Sequence, residues 1–140
     1  MTRTTYVEEA RSLFWRFAER HELSFQVETD LPTMLFCEFH VQKRLRRPII
    51  LGLQNSDELN FDVGTFWSYF FPFPKVVKDF DLILDAWISG TARIVEFTRF
   101  SGQSLEIETN GHWTEVYRAN GWPFRGRRKA IYSNLGNPPT

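Results

Sequence analysis

The stretch from Gly64 to Gly90 constrains this chain more than any other. An aromatic run, Gly64-Thr65-Phe66-Trp67-Ser68-Tyr69-Phe70-Phe71-Pro72-Phe73-Pro74, leads directly into a segment with helical periodicity. Between Lys75 and Ser89 the residues Val76, Val77, Phe80, Ile83, Leu84, Trp87 and Ile88 recur at spacings of three and four. At 3.6 residues per turn those spacings gather them on one helix face. Lys75, Lys78, Asp81, Asp85 and Ser89 take the other face. Pro74 suits a helix entrance, where its missing N–H costs nothing, and Gly90 suits a left-handed exit. So wide an apolar stripe needs a large apolar surface to cover, and the flanking sequence alternates in a way that can supply a sheet.

Upstream, Thr5-Tyr6-Val7-Glu8 has the form of a capping box, and Tyr6, Ala10, Leu13, Phe14, Phe17 and Ala18 share one face of a helix from about Tyr6 to Arg20. Trp15 falls on the polar side of that helix. Leu23, Phe25 and Val27 alternate with polar residues, as do Leu35, Cys37, Phe39 and Val41, and again Leu59, Phe61 and Val63. Each set reads as a half-buried strand. Ile49 to Leu53 is apolar on both faces and reads as a central strand. Short links make the run an antiparallel meander. After the long helix come a strand from Ala92 to Phe100 and a hairpin closed by Asn110-Gly111. A two-residue loop sets Ile107 opposite Thr114, Leu105 opposite Val116 and Glu106 opposite Glu115. The last pair is mildly unfavourable; it either points to water, binds a cation, or has Arg93 or Arg99 of the preceding strand between its carboxylates, the last being the arrangement expected. Residues 130–135 fit a short helix or an added strand. The chain is therefore expected to be one α+β domain over residues 1–140, with 121–140 a partly irregular basic tail. Its order is α-β-β-β-β-α-β-β-β, with an antiparallel sheet of about six to seven strands and two amphipathic helices packed on one face.

Composition narrows the function classes. Fourteen Phe, five Trp and four Tyr exceed what a core of this size usually carries, so spare ring surface is expected for a pocket or partner. A single cysteine, Cys37, excludes an internal disulfide and a cysteine-based zinc site; its apolar strand parity predicts a buried, inert thiol. The N-terminus lacks an apolar signal core, and no run reaches the length of a membrane span, so a cytoplasmic protein is expected. The net charge of zero hides two basic islands, Lys43, Arg44, Arg46, Arg47 and Arg125, Arg127, Arg128, Lys129, beside an acidic region at 51–90.

His21, His40 and His112 have no metal-binding spacing, and no metal or cofactor is expected. Neither a nucleophile elbow nor a phosphate-binding glycine loop occurs. Glu58 with Asp62, and Glu106 with Glu108, lie on strand faces expected to be solvated. The expected function is a non-catalytic binding or adaptor role through an aromatic patch of Trp15, Phe66, Trp67, Tyr69, Phe70, Phe71 and Phe73. The partner would be another protein or a second copy. One alternative is phosphate-backbone recognition by the two basic islands, with Trp122, Phe124 and Tyr132 stacking on bases. Zero net charge and the acidic helix weigh against it. The other is an enzyme or small-ligand binder with an aromatic-lined pocket between helices and sheet. Membrane-surface binding is disfavoured because the polar face of the long helix is acidic.

Overall fold

A computed structural model describes residues 5–98, 102–119 and 126–135. The elements are α1 (Val7–His21), β1 (Gln26–Leu31), β2 (Met34–Phe39), β3 (Ile49–Gln54), β4 (Glu58–Val63), α2 (Phe73–Ser89), β5 (Ala92–Phe97), β6 (Gln103–Thr109), β7 (His112–Ala119) and β8 (Arg128–Tyr132). The α+β class and the order of elements follow the sequence reading, and β8 decides the last segment as a strand. The strands form two four-stranded antiparallel sheets, β1-β2-β3-β4 and β7-β6-β5-β8, where the alternation suggested a single sheet. The physical reason lies at β4. Its free edge is taken by residues 66–70, through backbone pairs of Leu59 with Phe70 and Val63 with Phe66, so β5 starts a separate sheet. The chain divides into two units, Met1–Leu84 and Asp85–Thr140, and the division falls inside α2.

In the first unit, strand alternation builds the core. Leu35, Cys37 and Phe39 of β2 sit opposite Leu53, Leu51 and Ile49 of β3, and these in turn sit opposite Leu59, Phe61 and Val63 of β4. All nine are buried. α1 lies against β2 and β3 and buries Val7, Ala10, Leu13, Phe14, Phe17 and Ala18. The ring of Phe17 meets that of Phe39 at 5.5 Å. The capping box does not form. The helix is capped at Tyr6 without a side-chain bond, because the Thr5 hydroxyl turns to the Pro32 carbonyl at 3.4 Å. The Tyr6 N–H donates to the Ser56 carbonyl at 2.8 Å, so turns of the sheet replace the local cap. At the other end Glu22 is left-handed (φ 56°) and Leu23 N–H closes on Ala18 O at 2.8 Å. The first part of α2 joins this unit: Phe73 stacks on Tyr6 at 4.8 Å, Phe80 meets Phe70 at 5.7 Å, and Asp81 pairs with Arg20 at 3.0 Å.

In the second unit, Asn110 (φ 54°) and Gly111 (φ 80°) make the hairpin turn between β6 and β7. Ile107 faces Thr114 and Glu106 faces Glu115, but a bulge then sets Leu105 against Tyr117 instead of Val116. The Glu106–Glu115 repulsion is relieved on both sides. Arg93 binds Glu106 at 2.8 Å while lying 4.0 Å over the Trp113 ring. Arg118 binds Glu115 at 3.0 Å while lying 4.6 Å over Phe97, and the Ser104 hydroxyl also donates to Glu115. Arg99 is outside the described residues. α2 ends on Gly90 (φ +84°), with Thr91 N–H on Ala86 O at 2.9 Å and Leu135 packed on the glycine. Asn134 Nδ2 adds a bond to Ile88 O at 3.2 Å.

A groove on the open face of the first sheet

The residues of opposite parity in the first sheet point away from α1. Phe36 and Glu38 on β2 sit opposite Gly52 and Ile50 on β3, which sit opposite Asn60 and Asp62 on β4. A groove of about 540 Å³ opens on this face. That volume is within the range of ligand-binding clefts. Its floor is made by Phe36 and Ile50, and one wall by Val63, Gly64 and Trp67. Pro48 and Arg47 close another side, and β1 contributes Glu28 and Thr29, where a bulge between Val27 and Thr29 interrupts the ladder.

Two local devices shape it. The first is Gly52. A Cβ built there would meet the Phe36 ring at 2.3 Å, so the ring can lie across the central strand only because the residue beneath it is glycine. The second is Ser68. Residues 66–70 run along β4, but their middle rung is made by a side chain. The Ser68 hydroxyl donates to Phe61 O at 2.8 Å and accepts from Phe61 N–H at 2.9 Å. Asn60 Nδ2 donates to Ser68 O at 2.8 Å. The segment is thereby extended, and its residues alternate: Phe66 and Ser68 are buried and Phe70 is half-buried, while Trp67, Tyr69 and Phe71 are exposed.

Asp62 is the unusual group. It lines the groove yet is only 6% exposed, and among the described residues its side chain has one hydrogen bond, a long one from Ser68 N–H at 3.4 Å. No cation among the described residues pairs with it. Burial pushes its carboxyl up to about 6, and the Ser68 N–H offsets this only in part. With Glu28 and Glu38 it gives the lining, among the described residues, three carboxylates against the guanidinium of Arg47.

The predicted site residues are distributed as follows. Trp67 is 52% exposed and walls the groove; Phe71 is 59% and Tyr69 40% exposed. Phe66 and Phe73 are core residues. Trp15 lies apart on α1, edge-on to Phe25 at 4.7 Å, with Arg11 5.7 Å from its ring. Lys43, Arg44 and Arg46 are exposed in the turn before β3, where Leu45 is the buried plug and Arg44 reaches Glu22 at 3.4 Å. Arg127, Arg128 and Lys129 are exposed at β8 in the second unit, and Tyr132 there is buried. Arg125, Trp122 and Phe124 lie outside the described residues. The side of the sheet facing α1 is filled by Phe14, Phe17, Phe39, Leu51 and Phe61, and the groove opens on the opposite side.

Sequence reasoning missed Phe36, Ile50, Glu28, Glu38 and Asp62 as a group. The available signal was Gly52 inside an otherwise apolar central strand, which marks a close approach of something to the backbone. Asp62 and Glu106, expected in water, are buried at 6% and 3% exposure, because residues 66–68 cover the first and Arg93 the second. Cys37 is fully buried, and burial pushes its thiol to about 12. Among the described residues no group of three or more His, Cys, Asp or Glu side chains is placed to hold a metal, and no helix is long and apolar enough to cross a membrane. Comparison with models of known protein families, with curated proteins and with solved structures finds no match.

Proposed function

We propose that this protein is a non-catalytic binding module that docks a segment of a partner protein in the groove on the open face of its first sheet, with Trp67 as the anchor. The observation that carries this reading is Trp67 itself. A large ring is held half in solvent beside a groove floored by Phe36 and Ile50, on a backbone fixed to β4 by Ser68. Rigid, amphipathic aromatic side chains beside an apolar depression are what the centres of protein interfaces are made of. Tyr69 and Phe71, exposed on the same segment, extend the apolar surface beyond the groove. The excess of carboxylates favours this use of the groove over phosphate binding there.

The test begins with selection of displayed peptides of about ten residues, a length that spans such a groove when extended. The expected result is that bound peptide shifts the backbone resonances of Phe36, Ile50, Asp62 and Trp67. Trp67→Ala should weaken binding about tenfold or more. Shifts confined to other surfaces, or equal binding by the variant, would refute the reading.

A further inference from the structure

Resting on that reading of the groove, we infer that the partner segment presents a basic side chain, lysine or arginine, whose stem lies along Ile50 and Trp67 and whose cation meets Asp62. Three observations converge on it. Among the described residues the charge of the lining is unbalanced, with Glu28, Glu38 and Asp62 against Arg47. Asp62 is more than nine-tenths buried, lines the groove, and has a 3.4 Å amide contact but no ion-pair partner among the described residues. A buried carboxylate left without a cation is costly, and a cation supplied by a ligand is the compensation the site lacks. The floor of Phe36 and Ile50 and the side formed by Trp67, finally, are apolar and aromatic. A long basic side chain lays its methylenes on such surface while its charged end seeks an acid, and the face of a tryptophan attracts the same cation.

Acidity gives the pairing a signature. The Asp62 carboxyl titrates near 6, so a cation binds its ionised form well above that pH and loses the attraction as the proton returns. Among the described residues, the charged groups that line the groove with it are Glu28 on β1, Glu38 on β2 and Arg47 before β3. His40 Nδ1 lies 3.7 Å from Glu38.

The experiment uses the whole chain and the selected peptides. They should share a lysine or arginine at a fixed place next to an apolar residue. Replacing it with norleucine, which keeps the stem and removes the charge, should weaken binding to the wild type about tenfold or more. Asp62→Asn should bind both peptides alike, at the weaker level. The wild-type affinity for the basic peptide should fall on acidification through pH of about 6 while that for the norleucine peptide stays flat. The pH comparison keeps the test sound if the variant fails to fold. Norleucine peptides that bind as well as basic ones, or selected peptides without a basic residue, would overturn the inference while leaving the groove a docking site. Shifts that avoid the groove altogether would remove both.

Discussion

Asp62 shows how one residue can decide both stability and use. Its folded-state carboxyl titrates near 6, above its ordinary value of 3.8, because burial disfavours the charge. The unfolded chain therefore releases this proton at lower pH than the folded one. The contribution to stability is full below about 4, declines as pH rises from there to about 6, and stays lost above. Asp62→Asn is expected to raise stability near pH 7 by about 1–3 kcal/mol and to flatten the pH dependence in that window, read from denaturant melts at several pH values. A variant less stable than wild type near pH 7 would mean that the carboxylate is compensated in a way the fold does not reveal. Cys37 makes a second, independent prediction. With its thiol fully buried and pushed to about 12, it should not react with a thiol reagent in the native protein. Labelling should follow the rate of global unfolding. The residue scale is also where the sequence was least legible. Strand parity placed Asp62 correctly on the face away from the core, but parity cannot say what later part of the chain folds over that face.

Among the elements, the segment 66–70 positions the site. Its six-ring neighbourhood, Phe66 to Phe73, was compatible with helical and extended periods alike, since nearly every position is aromatic. Only the long-range bonds to Leu59, Phe61 and Val63 settle it as extended, and no local pattern announces them. Ser68 supplies the middle of that attachment with two bonds to Phe61. Ser68→Ala is expected to leave a buried N–H and C=O unpaired, costing about 1–3 kcal/mol, and to speed amide exchange at Phe61. Its effect on peptide binding should exceed what the stability loss explains, because Trp67 rides on the same segment. Gly52→Ala should push the Phe36 ring off the strand, since the added carbon would sit 2.3 Å from it. The expected readout is a large change in Phe36 ring resonances together with weakened docking. Other elements were readable for plain reasons. Asn110-Gly111 can adopt the two positive φ angles a tight hairpin requires, and the helices follow from their stripes. The bulge between Leu105 and Glu106 was not readable, since a one-residue slip leaves no compositional trace.

For the molecule as a whole, the sequence indicated one sheet and the chain builds two, because the rim of the first is filled before the fifth strand begins. α2 is the element both units share, the division falling between Leu84 and Asp85. A break in that helix should therefore be felt in both. Leu82 is 67% exposed, so Leu82→Ala is expected to be nearly neutral, whereas Leu82→Pro should cost about 3 kcal/mol or more. Hydrogen exchange should show lost protection in β2–β4 and in β5–β6 together; loss in one set alone would make the units independent. The filled rim has a further consequence. A sheet with bare outer rungs is a template on which neighbouring chains can add strands without limit. Here residues 66–70 occupy one margin, and the bulge with the charges of Glu28 and Asp30 interrupts the other. Peeling that short stretch away would uncover the rungs of Leu59 and Val63 beside a dense cluster of rings, and crowded chains would then have a seam for fibril growth.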